Sequence, residues 1–166
     1  MAWMETADLW VRPSQEADLE LFYQWERRPE VTQFFSIADG QSRAEVEAIY
    51  RRDAADPGRR QYTILLKPEG RPIGRIVLAD RIEGWKVEIF RIYIADTALR
   101  GKGYGKATLQ QLGRIALERG CGRLEWACLD WNRPSIDFYL SLDAMPMDEW
   151  TVYRLAGDSL RGLENK

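Results

Sequence analysis

The 166-residue chain has no histidine, two cysteines and no apolar run of the length a membrane-spanning helix needs. Without histidine, every histidine-based catalytic triad, the H-E-x-x-H zinc sites and most imidazole-bearing metal centres are excluded. Chemistry falls to Tyr, Glu, Asp, Lys, Ser, Cys or the backbone, and no metal is expected. Cys121 and Cys128 flank an expected strand at opposite ends or on opposite faces, which disfavours a bridge. They read as reduced thiols, with Cys128 in the core. Also missing is a basic tail or face: 24 basic and 26 acidic residues are scattered to a net charge of −2. That excludes phosphate-driven binding to nucleic acid. The first residues, MAWMETADLW, carry acids where a secretory leader has a basic start. A cytoplasmic protein without a membrane partner is the expectation.

With 45% hydrophobic residues the chain can bury a core of its own. One domain over 1–166 is expected, with its core at about 9–155 and a polar C-terminal tail. LWVRP (9–13) reads as a strand, and 14–27 as a helix capped by Ser14, with Ala17, Leu21 and Trp25 on one stripe. Residues 29–41 lack a period but carry enough apolar bulk to wall a pocket. Ser42 and Glu45 form the S-x-x-E pattern that opens a second helix. Three strand-like runs follow, at 61–67, 71–80 and 85–95, joined by short glycine-bearing turns that imply an antiparallel meander. A helix over 104–119, ended by Gly120, leads to a strand at 123–129. Strand, helix and strand there form a parallel right-handed crossover. A short helix from Arg133 to about Leu140 follows Asn132, and DAMPM and EWTVYRLA read as a final pair of strands.

Between the 85–95 strand and the 104–119 helix lies LRGKGYGKAT (99–108). A P-loop, G-x-x-x-x-G-K-S/T, would place its first glycine at Arg100 and its hydroxyl at Ala107, so that reading fails twice. A dinucleotide fingerprint, G-x-G-x-x-G, fails on the two-and-two spacing of Gly101, Gly103 and Gly105. What remains is a row of backbone N–H groups at the positive end of a helix, flanked by cations. It is either a nest for a pyrophosphate or a turn that only starts the helix.

Arg100-x-x-Gly103-x-Gly105 resembles the R/Q-x-x-G-x-G/A signature of the GNAT superfamily of N-acetyltransferases. A second stretch, CLDWNRPSIDFYLSLDAM (128–145), is similar to that family's N-x-x-A/S-x-x-F/L-Y-x-x-x-G/D-F/A region, through Asn132, Ser135, Phe138, Tyr139, Asp143 and Ala144. The second region looks like polyamine and thialysine acetyltransferases. The N-terminal part looks like the ribosomal-protein, spermidine and aminoglycoside branch. The resemblance implies a mixed α/β fold: a mostly antiparallel twisted sheet of about seven strands, with a splayed parallel pair formed by the fourth and fifth, flanked by about four helices. It also implies acetyl-coenzyme A as the acyl donor. The N–H groups of Gly101, Lys102, Gly103, Tyr104, Gly105 and Lys106, with the Arg100 side chain, would hold the pyrophosphate. The strand edge at Ile92, Tyr93 and Ile94 would hold the pantetheine arm as an added strand. Asn132, Ser135 and Phe138 would complete the cofactor site.

By the same resemblance an amine attacks the thioester directly and Tyr139 protonates the departing thiolate. A phenol, with an ordinary pKa of about 10, is matched to a thiolate of similar basicity. Tyr139 is otherwise a core aromatic. Glu88 shares the parity of Phe90, Ile92 and Ile94, and either assists deprotonation through water or is a salt-bridged strand residue. Asp130 is a second acid or a turn residue. Trp25, Glu26, Phe34 and Phe35 fall where the family walls its acceptor site, or are ordinary packing. The acceptor expected is a small polyamine-like or amino-acid-like amine. Alternatives are a protein N-terminus, an aminoglycoside, or a domain that binds acyl-coenzyme A without turning it over. Exposed strand edges and an aromatic C-terminal strand suggest a homodimer.

Overall fold

Residues 3–33, 41–79 and 84–162 are described by the structure, a computed structural model. Among the described residues, six strands lie in one sheet in chain order: β1 (Met4–Glu5), β2 (Leu9–Pro13), β3 (Arg59–Leu66), β4 (Arg71–Ala79), β5 (Lys86–Ile94) and β6 (Arg123–Trp126). Every neighbouring pair is antiparallel except β5 and β6, which are parallel. The described helices are α1 (Leu19–Trp25), α2 (Pro29–Thr32), α3 (Arg43–Ala55), α4 (Tyr104–Glu118), α5 (Arg133–Leu140) and α6 (Asp158–Arg161). None is long and apolar enough to cross a membrane.

The chain separates into two compact units, Met1–Leu129 and Asp130–Lys166. The first holds the sheet. Phe22, Trp25, Val31, Val46, Tyr50 and Tyr93 cluster in its core, joining α1, α2 and α3 to β5. α4 packs on β5 and β6. The second unit holds α5 and α6, and no strand occurs among its described residues. Among the described residues the sheet therefore has six strands where about seven were expected. DAMPM and EWTVYRLA stay unpaired, with Met145, Trp150, Val152 and Tyr153 well exposed. Alternation marks a segment able to be a strand, but a strand also needs a neighbour's hydrogen bonds. One strand was missed at the other end. β1 joins β2 through Trp3 N–H donating to Val11 O at 2.7 Å, and Trp3 stacks on Tyr62 with ring centroids 3.9 Å apart.

Local signals set most element boundaries. The Ser42 side chain accepts from Glu45 N–H at 3.3 Å, and the Glu45 carboxylate accepts from Ser42 N–H at 2.6 Å, so α3 opens on the expected capping box. Gly103, at φ +86°, opens α4, and Gly120, at φ +71°, follows its end. The helix expected over 14–27 begins later, with a 3-10 turn at Glu16–Asp18 ahead of α1. Ser14 does not cap it: its hydroxyl lies 3.0 Å from Thr63 Oγ1, and the Asp18 carboxylate accepts from Gln15 N–H instead. β6 is shorter than its expected 123–129, which leaves Cys128 beyond the strand and half-buried rather than in the core.

Candidate active site

β5 carries the first part of the site. Its parallel pairing with β6 runs only from Lys86 to Ile89, whereas its antiparallel pairing with β4 continues to Ile94. Among the described strands, none therefore pairs with the outer side of β5 at Ile92, Tyr93 and Ile94, where an added extended chain would lie. Gly74, opposite Ile94 on β4, is a point of closest approach, because a Cβ there would collide with the Tyr93 carbonyl oxygen.

Past β5 the chain makes a 3-10 turn at Thr97–Leu99, capped by the Asp96 carboxylate accepting from Ala98 N–H at 2.9 Å. The glycine loop follows. Gly101 (φ +74°) and Gly103 (φ +86°) both occupy the left-handed region, which side chains disfavour. A Cβ on either would meet nothing within 4 Å, so protein atoms leave the space beside the loop open. The first α4 N–H to find a backbone acceptor is that of Ala107, 2.9 Å from Gly103 O. The preceding N–H groups lie at the positive helix end, with Lys102 and Lys106 exposed beside them. Arg100 is engaged elsewhere. Its guanidinium donates to Glu30 O at 2.7 Å and Ile94 O at 3.4 Å, tying α2 to the end of β5.

Glu26, at the end of α1, is among the most buried side chains of the molecule, 2% exposed. Its carboxylate accepts from Arg75 at 2.7 Å and Tyr93 OH at 3.0 Å, and pairs with Arg91 at 2.8 Å. Arg75 also donates to Gln61 Oε1, and its guanidinium lies 4.2 Å from the Phe22 ring centre. Burial pushes the Glu26 carboxyl upwards, but the two guanidiniums outweigh it and hold it below the usual glutamate range. Burial, and then the Glu26 charge, raise the Tyr93 phenol well above its ordinary value, so it stays a donor. As an open carboxylate for a cationic acceptor, Glu26 does not fit, because its oxygens already serve two arginines and a phenol. Trp25 is buried in the same core, edge-on to Tyr93 with centroids 6.2 Å apart. Phe34 and Phe35 lie outside the described residues.

Glu88 needs a correction of geometry. Val77 opposes Arg91 while Leu78 opposes Ile89, so Phe90 is an extra residue and β5 bulges there. Parity carried from Ile92 does not cross the bulge. Glu88 opposes Ala79 and shares the face of Val77 and Arg91. It is 43% exposed and pairs with Lys86 at 3.3 Å.

In the second unit, Asn132 is buried and its side chain accepts from Ser135 N–H at 3.3 Å, capping α5. Phe138 and Tyr139 are half-buried, with ring centroids 5.4 Å apart. Asp130 is exposed in a turn. Sequence reasoning missed Arg75 and Arg91, whose role depends on pairing with a helix end far along the chain.

The model of the acetyltransferase (GNAT) family matches residues 19–143. The chain belongs to that family. Among GNAT relatives, an L-ornithine N5-acetyltransferase of Arabidopsis thaliana is 38% identical over 76 residues, covering 43% of this chain and 33% of that protein. A thialysine N-epsilon-acetyltransferase of Bos taurus is 30% identical over 112 residues, covering 61% and 66%. The chain thus spans between a third and two thirds of the length of these relatives. Spermidine N-acetyltransferase from Vibrio cholerae, solved with CoA and spermine, superposes with a TM-score of 0.69 at 16% identity over 82% of this chain and 80% of that one. That likeness shows the GNAT fold. GNAT acetyltransferases use acetyl-coenzyme A, and the loop fits its pyrophosphate: open space, N–H groups ahead of Ala107, two flanking lysines and a helix's positive end.

Proposed function

We propose that this chain transfers the acetyl group of acetyl-coenzyme A to a primary amine of a small molecule. The observation that carries the reading is the open glycine loop, Gly101 and Gly103 in left-handed conformation, directly after a strand whose pairing with β6 ends at Ile89. Backbone N–H groups of Gly101 to Lys106 hold the pyrophosphate, and the edge of β5 at Ile92 to Ile94 takes the pantetheine arm. Arg100 acts here by bracing the end of β5 rather than by reaching the phosphates. Bound in this way, the cofactor supplies an activated acetyl thioester. The amine attacks directly, and the Tyr139 hydroxyl delivers the proton that the departing thiolate needs. Asn132 positions Tyr139 by capping α5, where Ser135 supplies the capped N–H.

The ornithine, thialysine and spermidine acetyltransferases found among its relatives and neighbours favour a small acceptor over a protein N-terminus or an aminoglycoside. Cys121 and Cys128, neither in a disulfide, suit a reducing cytoplasm. The exposed Trp150, Val152 and Tyr153 suit a homodimer.

A screen of small amines with acetyl-coenzyme A, followed by thiol release, tests the activity. Tyr139→Phe should lower kcat by about 100-fold while coenzyme A binding, measured by calorimetry, stays intact. Equal turnover in that variant overturns the role of the phenol. No release with any amine, with coenzyme A still bound, favours a domain that senses acyl-coenzyme A without turning it over.

A further inference from the structure

Phe90 is the only exposed residue of β5, 47% open, between Ile89 and Arg91, which are both buried. It is also the extra residue at which the register with β4 shifts, and the first past Ile89, where the pairing with β6 stops. A bulge re-aims a side chain that regular alternation would place elsewhere. The ring is fixed as well. The Arg59 guanidinium lies 3.9 Å from its centre, reaching over from the start of β3, where Arg59 opposes Ala79 and Ala79 in turn opposes Glu88. An apolar side chain is thus held in the open at the fork of two strands.

Its place along β5 gives it a role. Ala95 N–H donates to Ile73 O at 2.8 Å, towards β4, so by alternation the N–H and C=O groups of Ile94 and Ile92 point to the outer side. An extended arm bonded there, starting from the glycine loop, runs from Ile94 towards Ile92. Since β6 closes that side at Ile89, the reacting end of the arm comes to lie beside Phe90 and Arg91. We infer that Phe90 is a specificity-determining residue: its ring carries the hydrocarbon part of the acceptor next to the attacking nitrogen. This rests on the acetyltransferase reading and adds to it a residue that touches the acceptor. Arg59 already takes up the ring's attraction for a cation, so the ring offers apolar surface rather than a seat for an ammonium.

The test compares Phe90→Ala and Phe90→Leu with the parent, using 1,4-diaminobutane, L-ornithine and L-lysine as acceptors. Thiol release gives kcat and the KM of each amine. Calorimetry gives the Kd of coenzyme A, and the Kd of each amine for the protein saturated with coenzyme A. In Phe90→Ala the KM and Kd of the amines should rise by about 10-fold or more, the loss of one apolar contact, while the Kd of coenzyme A stays within about twofold. Phe90→Leu, which keeps an apolar surface, should recover most of that loss. Amine KM and Kd unchanged in Phe90→Ala overturn the inference and leave the acetyltransferase reading standing. An equal rise in the Kd of coenzyme A also overturns it, because the ring would then act only by shaping the strand. No thiol release from the parent overturns the acetyltransferase reading alone if the amines still bind and lose affinity in Phe90→Ala, and overturns both if they do not.

Discussion

From Lys86 to Ile89, β5 has β6 alongside it; from Arg91 to Ile94, β4 is its partner among the described strands. The first stretch carries surface ion pairs, Lys86 with Glu125 at 2.7 Å and with Glu88 at 3.3 Å. The second carries Arg91 and Tyr93, both buried and both on Glu26, and runs into the glycine loop. A short partner strand makes the difference. Where β6 stops at Trp126, an edge opens on the outer side of β5, while charged and aromatic groups beneath hold the strand in place. One strand is thus paired with two described strands in one half and with β4 in the other, where the edge proposed for the pantetheine arm lies.

The largest effect should come from the support under the open half. Glu26→Gln removes the carboxylate that Arg75 and Arg91 share and should cost about 3–5 kcal/mol in denaturant unfolding. The same residue gives a pH signature. Its folded-state pKa is depressed, so its contribution is complete above the unfolded value near 4.5 and is lost as pH falls through the lower folded value. Urea titrations from pH 6 to pH 3 should therefore show a shallower acid decline in the variant; an identical decline would mean Glu26 is not held ionised by its arginines.

A somewhat smaller effect is expected from the β4 side. Gly74→Ala pushes a Cβ against the Tyr93 carbonyl oxygen and to 3.2 Å from an Ile64 methyl. The strands must part, and a loss of about 2–3 kcal/mol should appear as a lowered Tm. A variant as stable as the parent would show that the open half yields to strain. Lys86→Ala, in the paired half, should change stability by less than about 1 kcal/mol, because its partners Glu88 and Glu125 are both more than a third exposed. A larger loss would erase the contrast between the halves.

Local chemistry was readable in the chain. The Ser42–Glu45 box, the Gly103 and Gly120 boundaries and the Asn132 cap involve residues at most three or four apart, so spacing alone identifies them. Glu88 shows the limit of periodicity: a single extra residue at Phe90 moves it to the other face, and nothing in WKVEIFRIYI marks the bulge. Glu26 shows the limit of residue type. Its place near an expected acceptor wall suggested an open carboxylate, yet its partners lie 49 and 67 positions away and leave it none of that freedom.

The sequence by itself determined the chemistry available without histidine, the order of most elements, and the glycine loop with its matching downstream motif. All of these follow from composition or from neighbours within a few residues. Tertiary structure alone decided where β6 ends, which edge of β5 opens, and that two arginines share one buried carboxylate. Such features depend on contacts between segments distant in the chain, and a period or a motif carries no record of which distant group a buried charge will meet.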